Sequence, residues 1–206
     1  LRCAKCDRTY SPRDRILTCP EDEGRLNIEY EYDYLAGKVS RDLFERRRGG
    51  LWKYSELLPI ESEENIVTLG EVQTPLIRCK NLAKTFGLIN LYLKDETKNP
   101  TSSFKDRPMT VGVSKAVELG YDTVVSASSG NAAAALAAYS ARAGLACYTF
   151  VPEMASPGKI AQLKMFGASV VRLRGLESGV DPTVTMLKLV CKQFGWYPCP
   201  SMGPFN

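Results

Sequence analysis

From residue 90 onward, short apolar runs alternate with longer helical stretches, and most of the helical stretches close on a glycine. Asn90–Lys94 reads as a strand. Phe104–Leu119 has helical spacing and stops at Gly120. Thr123–Ala127 is a strand, and Asn131–Ala143 a helix closed by Gly144. Ala146–Val151 is a strand ended by Pro152, and Lys159–Phe166 a helix ended by Gly167. Ser169–Leu173 is a strand, and Thr183–Phe194 a helix ended by Gly195. Glycine just past a helix accepts the left-handed conformation that releases the chain toward the next strand. Strands separated by whole helices are joined by crossovers, so the pattern predicts an α/β fold with a parallel sheet and helices packed on it. Upstream, Leu51–Leu58 reads as a short helix and Thr74–Ile77 as an extended segment. There is no internal repeat, and the alanine run at 132–135 is the one low-complexity stretch.

The chain has 206 residues, 44% of them hydrophobic, which is enough to bury a core. No apolar run approaches the ~18 residues of a membrane helix, and no charged-then-apolar leader opens the chain, so no membrane partner is expected. Twenty-seven basic against 23 acidic residues leave +4, too weak and dispersed to predict a nucleic-acid partner. With no histidine, His-based triads, HExxH sites and His-ligated metals are excluded within these residues. Of seven cysteines, Cys3, Cys6 and Cys19 lie in the first twenty residues and the others are scattered, unlike a secreted disulfide framework. A reducing, cytoplasmic location is expected, with Cys147 a buried strand residue. The chain opens at Leu1 and stops at Pro-Phe-Asn without an ending signal, which reads as a piece of a longer protein.

Charge density falls after the run Arg46-Arg47-Arg48-Gly49-Gly50, which reads as a solvated helix end stopped by glycine. The expected organisation is a zinc-ribbon-like module at 1–34, a helical linker at 35–70, and an α/β region at 71–206. In the module, Cys3 and Cys6 have knuckle spacing. The second knuckle reads Cys19-Pro20-Glu21-Asp22, with Asp22 where a fourth cysteine would stand. A carboxylate can ligate zinc, so Cys3, Cys6, Cys19 and Asp22 can close one structural site. The alternative is a metal-free ribbon held by packing of Tyr10, Leu17 and Leu26.

Two stretches carry chemistry. In Lys94-Asp95-Glu96-Thr97-Lys98-Asn99-Pro100-Thr101-Ser102-Ser103-Phe104-Lys105-Asp106-Arg107, a strand ends, a polar turn follows, and Lys105 appears where a helix begins. There it feels the positive helix end and the neighbouring Arg107, the setting a Schiff-base lysine requires. In Ser126-Ala127-Ser128-Ser129-Gly130-Asn131-Ala132, a strand passes into a helix through glycine. Free backbone N–H groups and two hydroxyls at such a turn can hold a carboxylate. The alanines that follow let the helix backbone approach a flat cofactor closely.

Together these motifs resemble those of pyridoxal-phosphate enzymes of the tryptophan-synthase β, or fold type II, class, and more closely of the threonine synthase family. Asn99–Arg107 matches that family's stretch around the cofactor lysine, and Ser128-Ser129-Gly130-Asn131 matches its loop over the pyridine ring. Val151-Pro152, Gly158-Lys159-Ile160-Ala161-Gln162 and Phe166-Gly167-Ala168 fit in order. The cysteine module followed by Ile28–Asp33 resembles the ribbon ahead of many such synthases.

The resemblance implies that Lys105 bonds covalently to pyridoxal 5'-phosphate, with Phe104 packed near it. It implies that Asn131 bonds the cofactor's 3-hydroxyl oxygen, and that Ser128, Ser129 and the N–H of Ala132 hold the substrate's α-carboxylate. Position 132 is threonine in many relatives, so alanine here removes a side-chain contact. Lys159 is either a phosphate-side cation or a solvated helix-start lysine. The implied reaction converts O-phospho-L-homoserine and water to L-threonine and phosphate, in a homodimer. The family's glycine-rich phosphate cradle and its partner for the pyridine nitrogen are not found in the sequence. Ser201–Asn206 reads as a diverged substrate-phosphate segment, or Asn206 as its first residue. An incomplete catalytic domain is therefore expected. Alternative readings are a sister enzyme such as cysteate synthase, using phosphoserine and sulfite, or a serine or threonine dehydratase. A non-catalytic relative and a zinc-ribbon nucleic-acid adaptor fit the motifs less well.

Overall fold

The structure is a computed structural model that describes residues 1–175, 179, 181–199 and 205. The first 27 residues wrap around buried Cys3, Cys19 and Leu26, where β1 (Arg2–Cys3) pairs antiparallel with β2 (Leu26–Asn27). Two short helices follow, α1 (Tyr32–Ala36) and α2 (Arg41–Arg46). The Ser40 hydroxyl caps α2 by accepting the Leu43 N–H at 3.1 Å. Leu51–Leu57 is a 3₁₀ helix, as is Glu63–Asn65.

Next come β3 (Leu76–Arg78), α3 (Lys80–Thr85) and β4 (Tyr92–Lys94). The α/β body consists of α4 (Asp106–Glu118), β5 (Thr123–Ser126), α5 (Asn131–Ala143), β6 (Ala146–Pro152), α6 (Pro157–Met165), β7 (Ser169–Leu173), α7 (Pro182–Phe194) and β8 (Tyr197–Pro198). Strands β5 to β8 form one parallel sheet in the order β7-β6-β5-β8. The helix ends behave as glycine caps should: Gly144 and Gly195 take φ of 72° and 67°. Helices α6 and α7 each begin with proline in the first turn, where its missing N–H costs nothing.

One face of the sheet is covered by α4, α5 and α6. Val124, Cys147 and Val151 meet Met109, Val113, Ala116, Leu163 and the buried alanines of α5 there. Cys147 is buried in its strand, as its sequence context predicts. The other face carries α7, with Val125 and Phe150 against Leu187 and Val190. Alanines 133, 135 and 137 are at most 1% exposed, so α5 lies close between α4 and the strands.

The run Arg46–Gly50 is not wholly a solvated helix end: α2 stops at Arg46, and half-buried Arg47 pairs with Glu56 at 2.6 Å. Strand placement also differs from the sequence reading in two places. Residues 74–77 and 90–94 do not join the parallel sheet. β3 and β4 pair antiparallel with each other, because the excursion between them carries only the six-residue α3. Leu76, Ile77, Leu82, Phe86, Ile89 and Leu93 remain exposed on this unit. In addition, β8 joins the sheet at a two-residue strand containing proline, with no apolar alternation to announce it.

The segment between the cysteine module and β3 is strapped to α4 by polar residues one turn apart. Trp52 Nε1 donates to Thr110 Oγ1 at 3.1 Å, and Thr110 Oγ1 donates to the Val67 carbonyl at 2.6 Å. The Val67 N–H reaches Ser114 Oγ at 2.8 Å, and Glu118 accepts the N–H groups of Glu61 and Ser62. Lys115, fully buried, pairs with Glu118 at 2.7 Å. The segment expected to resemble a substrate-phosphate loop, 201–206, lies outside the described residues apart from Phe205. Among the described residues no helix is long and apolar enough to cross a membrane.

Candidate active site

A parallel sheet binds ligands beyond the carboxyl ends of its strands, where the strand order reverses. Here the chain steps from β5 to β6 to β7 on one side and returns to β8 on the other. The reversal therefore falls at β5, and the loop leaving β5 carries Ser128 and Ser129. Ser128 Oγ accepts the Gly130 N–H at 3.3 Å, which folds the loop back on itself. Gly130 precedes α5 in an extended conformation and supplies no side-chain cap. The first intrahelical bond runs from the Ala134 N–H to the Gly130 carbonyl at 3.1 Å. The preceding N–H groups, those of Asn131, Ala132 and Ala133, thus have no partner within the helix, at its positive end. Ser128 and Ser129 are half-buried, Asn131 is exposed, and Ala132 is buried.

The lysine stretch is braced from several sides. Thr101 grips Asp106 with its N–H at 2.8 Å and its hydroxyl at 2.6 Å, closing the turn before α4. Asp106 is wholly buried, and burial pushes its carboxyl above the usual range while the Thr101 bonds oppose the shift. Between them Ser102 holds φ of 59°, a left-handed conformation unfavourable for a residue with a side chain. Lys105 sits at the cap position of α4, its N–H donating to Ser103 Oγ at 3.2 Å and its Nζ 4.9 Å from the centre of the Phe104 ring. The other lysines of the region are engaged or solvated. Lys94 Nζ donates to the Thr74 carbonyl, Lys98 faces Asp95 at 3.8 Å, and Lys159 is exposed on α6.

Arg107 does not stand as an open charge beside Lys105. Its guanidinium bonds Glu96 twice, at 2.7 and 3.0 Å. Glu96 also accepts from Thr74 at 2.5 Å and from Asn99 at 2.9 Å, and the Arg107 bonds hold its carboxyl down at about 2. Glu96, Thr74 and Asp106 have no role in the sequence reading. Their sequence signal is slight: opposite charges eleven residues apart within one polar turn, and a threonine from a distant segment.

Phe104, Ser102, Ser103 and Asn131 line one open cleft of about 580 Å³, walled on the far side by Ile77, Leu93 and Lys94. The fold thus brings the lysine turn and the start of α5 to one site. Its volume is in the range of small-cofactor sites. A larger depression, about 730 Å³, is lined by Tyr30–Tyr34, a single run of chain around the start of the five-residue α1, and no lysine lines it.

A model of the pyridoxal-phosphate dependent enzymes matches residues 67–206. The chain belongs to that family. Threonine synthase of Methanocaldococcus jannaschii is 45% identical over 206 residues, all of this chain and 50% of that protein. Threonine synthase of Methanosarcina acetivorans is 41% identical over 207 residues, 100% of this chain and 49% of that protein. The chain spans about half the length of these curated relatives. Among solved structures, a pyridoxal 5'-phosphate-dependent aspartate racemase superposes with a TM-score of 0.57 at 28% identity, covering 63% of this chain and 40% of that one. An O-ureido-L-serine synthase gives 0.55 at 26% identity, covering 61% and 40%.

The residues present fit the family's cofactor in part. Asn131 lines the cleft, whereas Lys105 is not itself among its lining residues and adjoins it through Phe104. With the open amino terminus of α5 they suit a planar aldehyde with a carboxylate-bearing substrate above it. A dianionic phosphate needs several converging N–H donors of its own, and Gly175 and Gly179 do not open a helix directly.

A second cluster lies in the amino-terminal module. Cys3, Cys6, Cys19 and Asp22 bring one ligand atom each within 4.8 Å of one another. Gly24's N–H, at 2.8 Å, holds the Asp22 carboxyl down at about 2.

Proposed function

We propose that this chain is the amino-terminal part of a threonine synthase, which converts O-phospho-L-homoserine and water to L-threonine and phosphate. The observation that carries the reading is the shared cleft of Phe104 and Asn131 beside Lys105, in a chain 45% identical along its whole length to a threonine synthase. Pyridoxal phosphate, when bound, supplies the electron sink for carbanion chemistry. Lys105 would hold it covalently and would move protons at the substrate's α, β and γ carbons. Asn131 would hydrogen-bond the cofactor's 3-hydroxyl oxygen. Ser128, Ser129 and the Ala132 N–H hold the substrate carboxylate at the start of α5, where the helix dipole favours an anion. Phe104 packs near Lys105, its ring centre 4.9 Å from the lysine Nζ.

In this reading the donors for the cofactor phosphate and the pyridine nitrogen lie outside these 206 residues, and the enzyme is a cytoplasmic homodimer. The amino-terminal module is a structural zinc ribbon with no part in the chemistry. The test is turnover by the full-length protein. Phosphate and threonine should appear from phosphohomoserine, with no cysteate from phosphoserine plus sulfite and no ammonia from serine or threonine. Cysteate formation in place of threonine would assign the chain to the sister activity.

A further inference from the structure

The amino-terminal module contains the same turn twice. Cys3 and Cys19 occupy matching places: the Cys3 N–H donates to the Arg8 carbonyl at 2.8 Å, and the Cys19 N–H to the Gly24 carbonyl at 2.9 Å, each five residues on. Each turn is closed four residues on, by Asp7 N–H to the Cys3 carbonyl at 3.1 Å and by Glu23 N–H to the Cys19 carbonyl at 2.9 Å. Asp7 and Glu23 share the left-handed conformation, at φ of 59° and 56°. Each turn is also tied off by an antiparallel bridge, Arg2 with Thr9 and Thr18 with Arg25. In this repeat the counterpart of Cys6 is Asp22.

We propose that Asp22 is the fourth ligand of a closed, three-thiolate, one-carboxylate zinc centre, and that Tyr10 and Gly24 are the residues that position its ligands. The inference rests on the reading of this module as a zinc ribbon. Tetrahedral zinc with bonds of about 2.3 Å to sulfur and 2.0–2.2 Å to oxygen has ligand-to-ligand edges of about 3.5–3.8 Å. Two edges already have that length: Cys6 Sγ to Cys19 Sγ is 3.6 Å, and Cys3 Sγ to Asp22 Oδ1 is 3.5 Å. Three thiolates select a borderline-soft ion and exclude calcium and magnesium.

The surrounding donors point at the ligand atoms. The N–H groups of Lys5 and Cys6 approach Cys3 Sγ at 3.3 and 3.5 Å. The Gly24 N–H, at 2.8 Å, fixes Asp22 Oδ1 facing Cys3. A Cβ on residue 24 would stand 2.7 Å from Cys3 Sγ and 2.8 Å from Asp22 Oδ1, so any larger residue there pushes two ligands apart. The Tyr10 hydroxyl lies 3.1 Å from Cys19 Sγ. Against a metal-bound thiolate, which has no proton, only the tyrosine can donate, and this bond fixes the sulfur's orientation.

Metal content and cobalt substitution of the full-length protein, purified without chelators, test the proposal. The expected result is one zinc per chain and a tetrahedral cobalt spectrum of three-thiolate intensity. Asp22→Cys should keep the metal and raise the sulfur-to-cobalt band to four-thiolate intensity. Asp22→Ala should weaken zinc binding more than 100-fold. Tyr10→Phe should weaken it about 10-fold or more and move the sulfur-to-cobalt band to longer wavelength, since a sulfur without a hydrogen bond donates more readily. Wild-type protein without zinc overturns the metal reading itself. Zinc bound with equal affinity and an unchanged spectrum in Asp22→Ala overturns Asp22 as ligand and leaves the zinc ribbon standing. An unmoved band in Tyr10→Phe overturns its positioning role. Asp22→Cys protects the test against a variant that fails to fold.

Discussion

Glu96 shows how a single side chain orders the approach to Lys105. It joins Arg107 at the start of α4, Thr74 before β3 and Asn99 in the polar turn. With its carboxyl held down at about 2 by Arg107, its folded-state pKa lies below the unfolded value. The group therefore stabilises the fold fully above about pH 4.5, and the contribution is lost as pH falls toward 2. Glu96→Gln should lower the thermal midpoint at pH 7. A charge-assisted network that is one-quarter solvent-exposed is worth about 1 kcal/mol, or about 2 to 4 °C in a chain of this size. The gap between variant and wild type should close as unfolding is followed down to the acid limit, and a gap independent of pH would show that the carboxylate charge is not what holds the turn.

At the scale of elements, the alanines of α5 let it sit deep between α4 and the sheet, with the amino end of α5 brought to the Phe104 cleft. Ala135 is fully buried, so a longer side chain there must displace its packed neighbours. Ala135→Leu should lower stability by about 1–3 kcal/mol, seen as a lower urea midpoint with unchanged slope; a neutral result would mean that α5 has slack. The glycine-capped helices, the strands β5 to β7 and the loop at Ser128–Asn131 are legible in the sequence because local signals fix them: αL glycines, β-branched runs and a small-residue turn. The β3–β4 pair and β8 are not legible as placed, since pairing partners are tertiary choices and β8 has two residues. In the site, Lys105, Asn131 and the serines are readable as a motif. Glu96, Thr74 and the Thr101–Asp106 clasp act through distant partners, and no periodicity marks them.

For the whole molecule, the apolar face of β3, α3 and β4 lies open beside the cleft, and Phe104 itself is 55% exposed. In the proposed enzyme the donors for the cofactor phosphate lie beyond these 206 residues. The 206-residue chain alone should therefore lose the visible absorbance of bound cofactor on gel filtration, while the full-length protein keeps it; a stable band in the shorter chain would place the phosphate donors within it. The placement of Lys105 is the point on which the functional reading depends most. Borohydride reduction of the cofactor-loaded, full-length protein, followed by digestion and mass spectrometry, tests it directly. The predicted result is a phosphopyridoxyl group on Lys105 and on no other lysine, and a label on Lys94, Lys98 or Lys159 would contradict it.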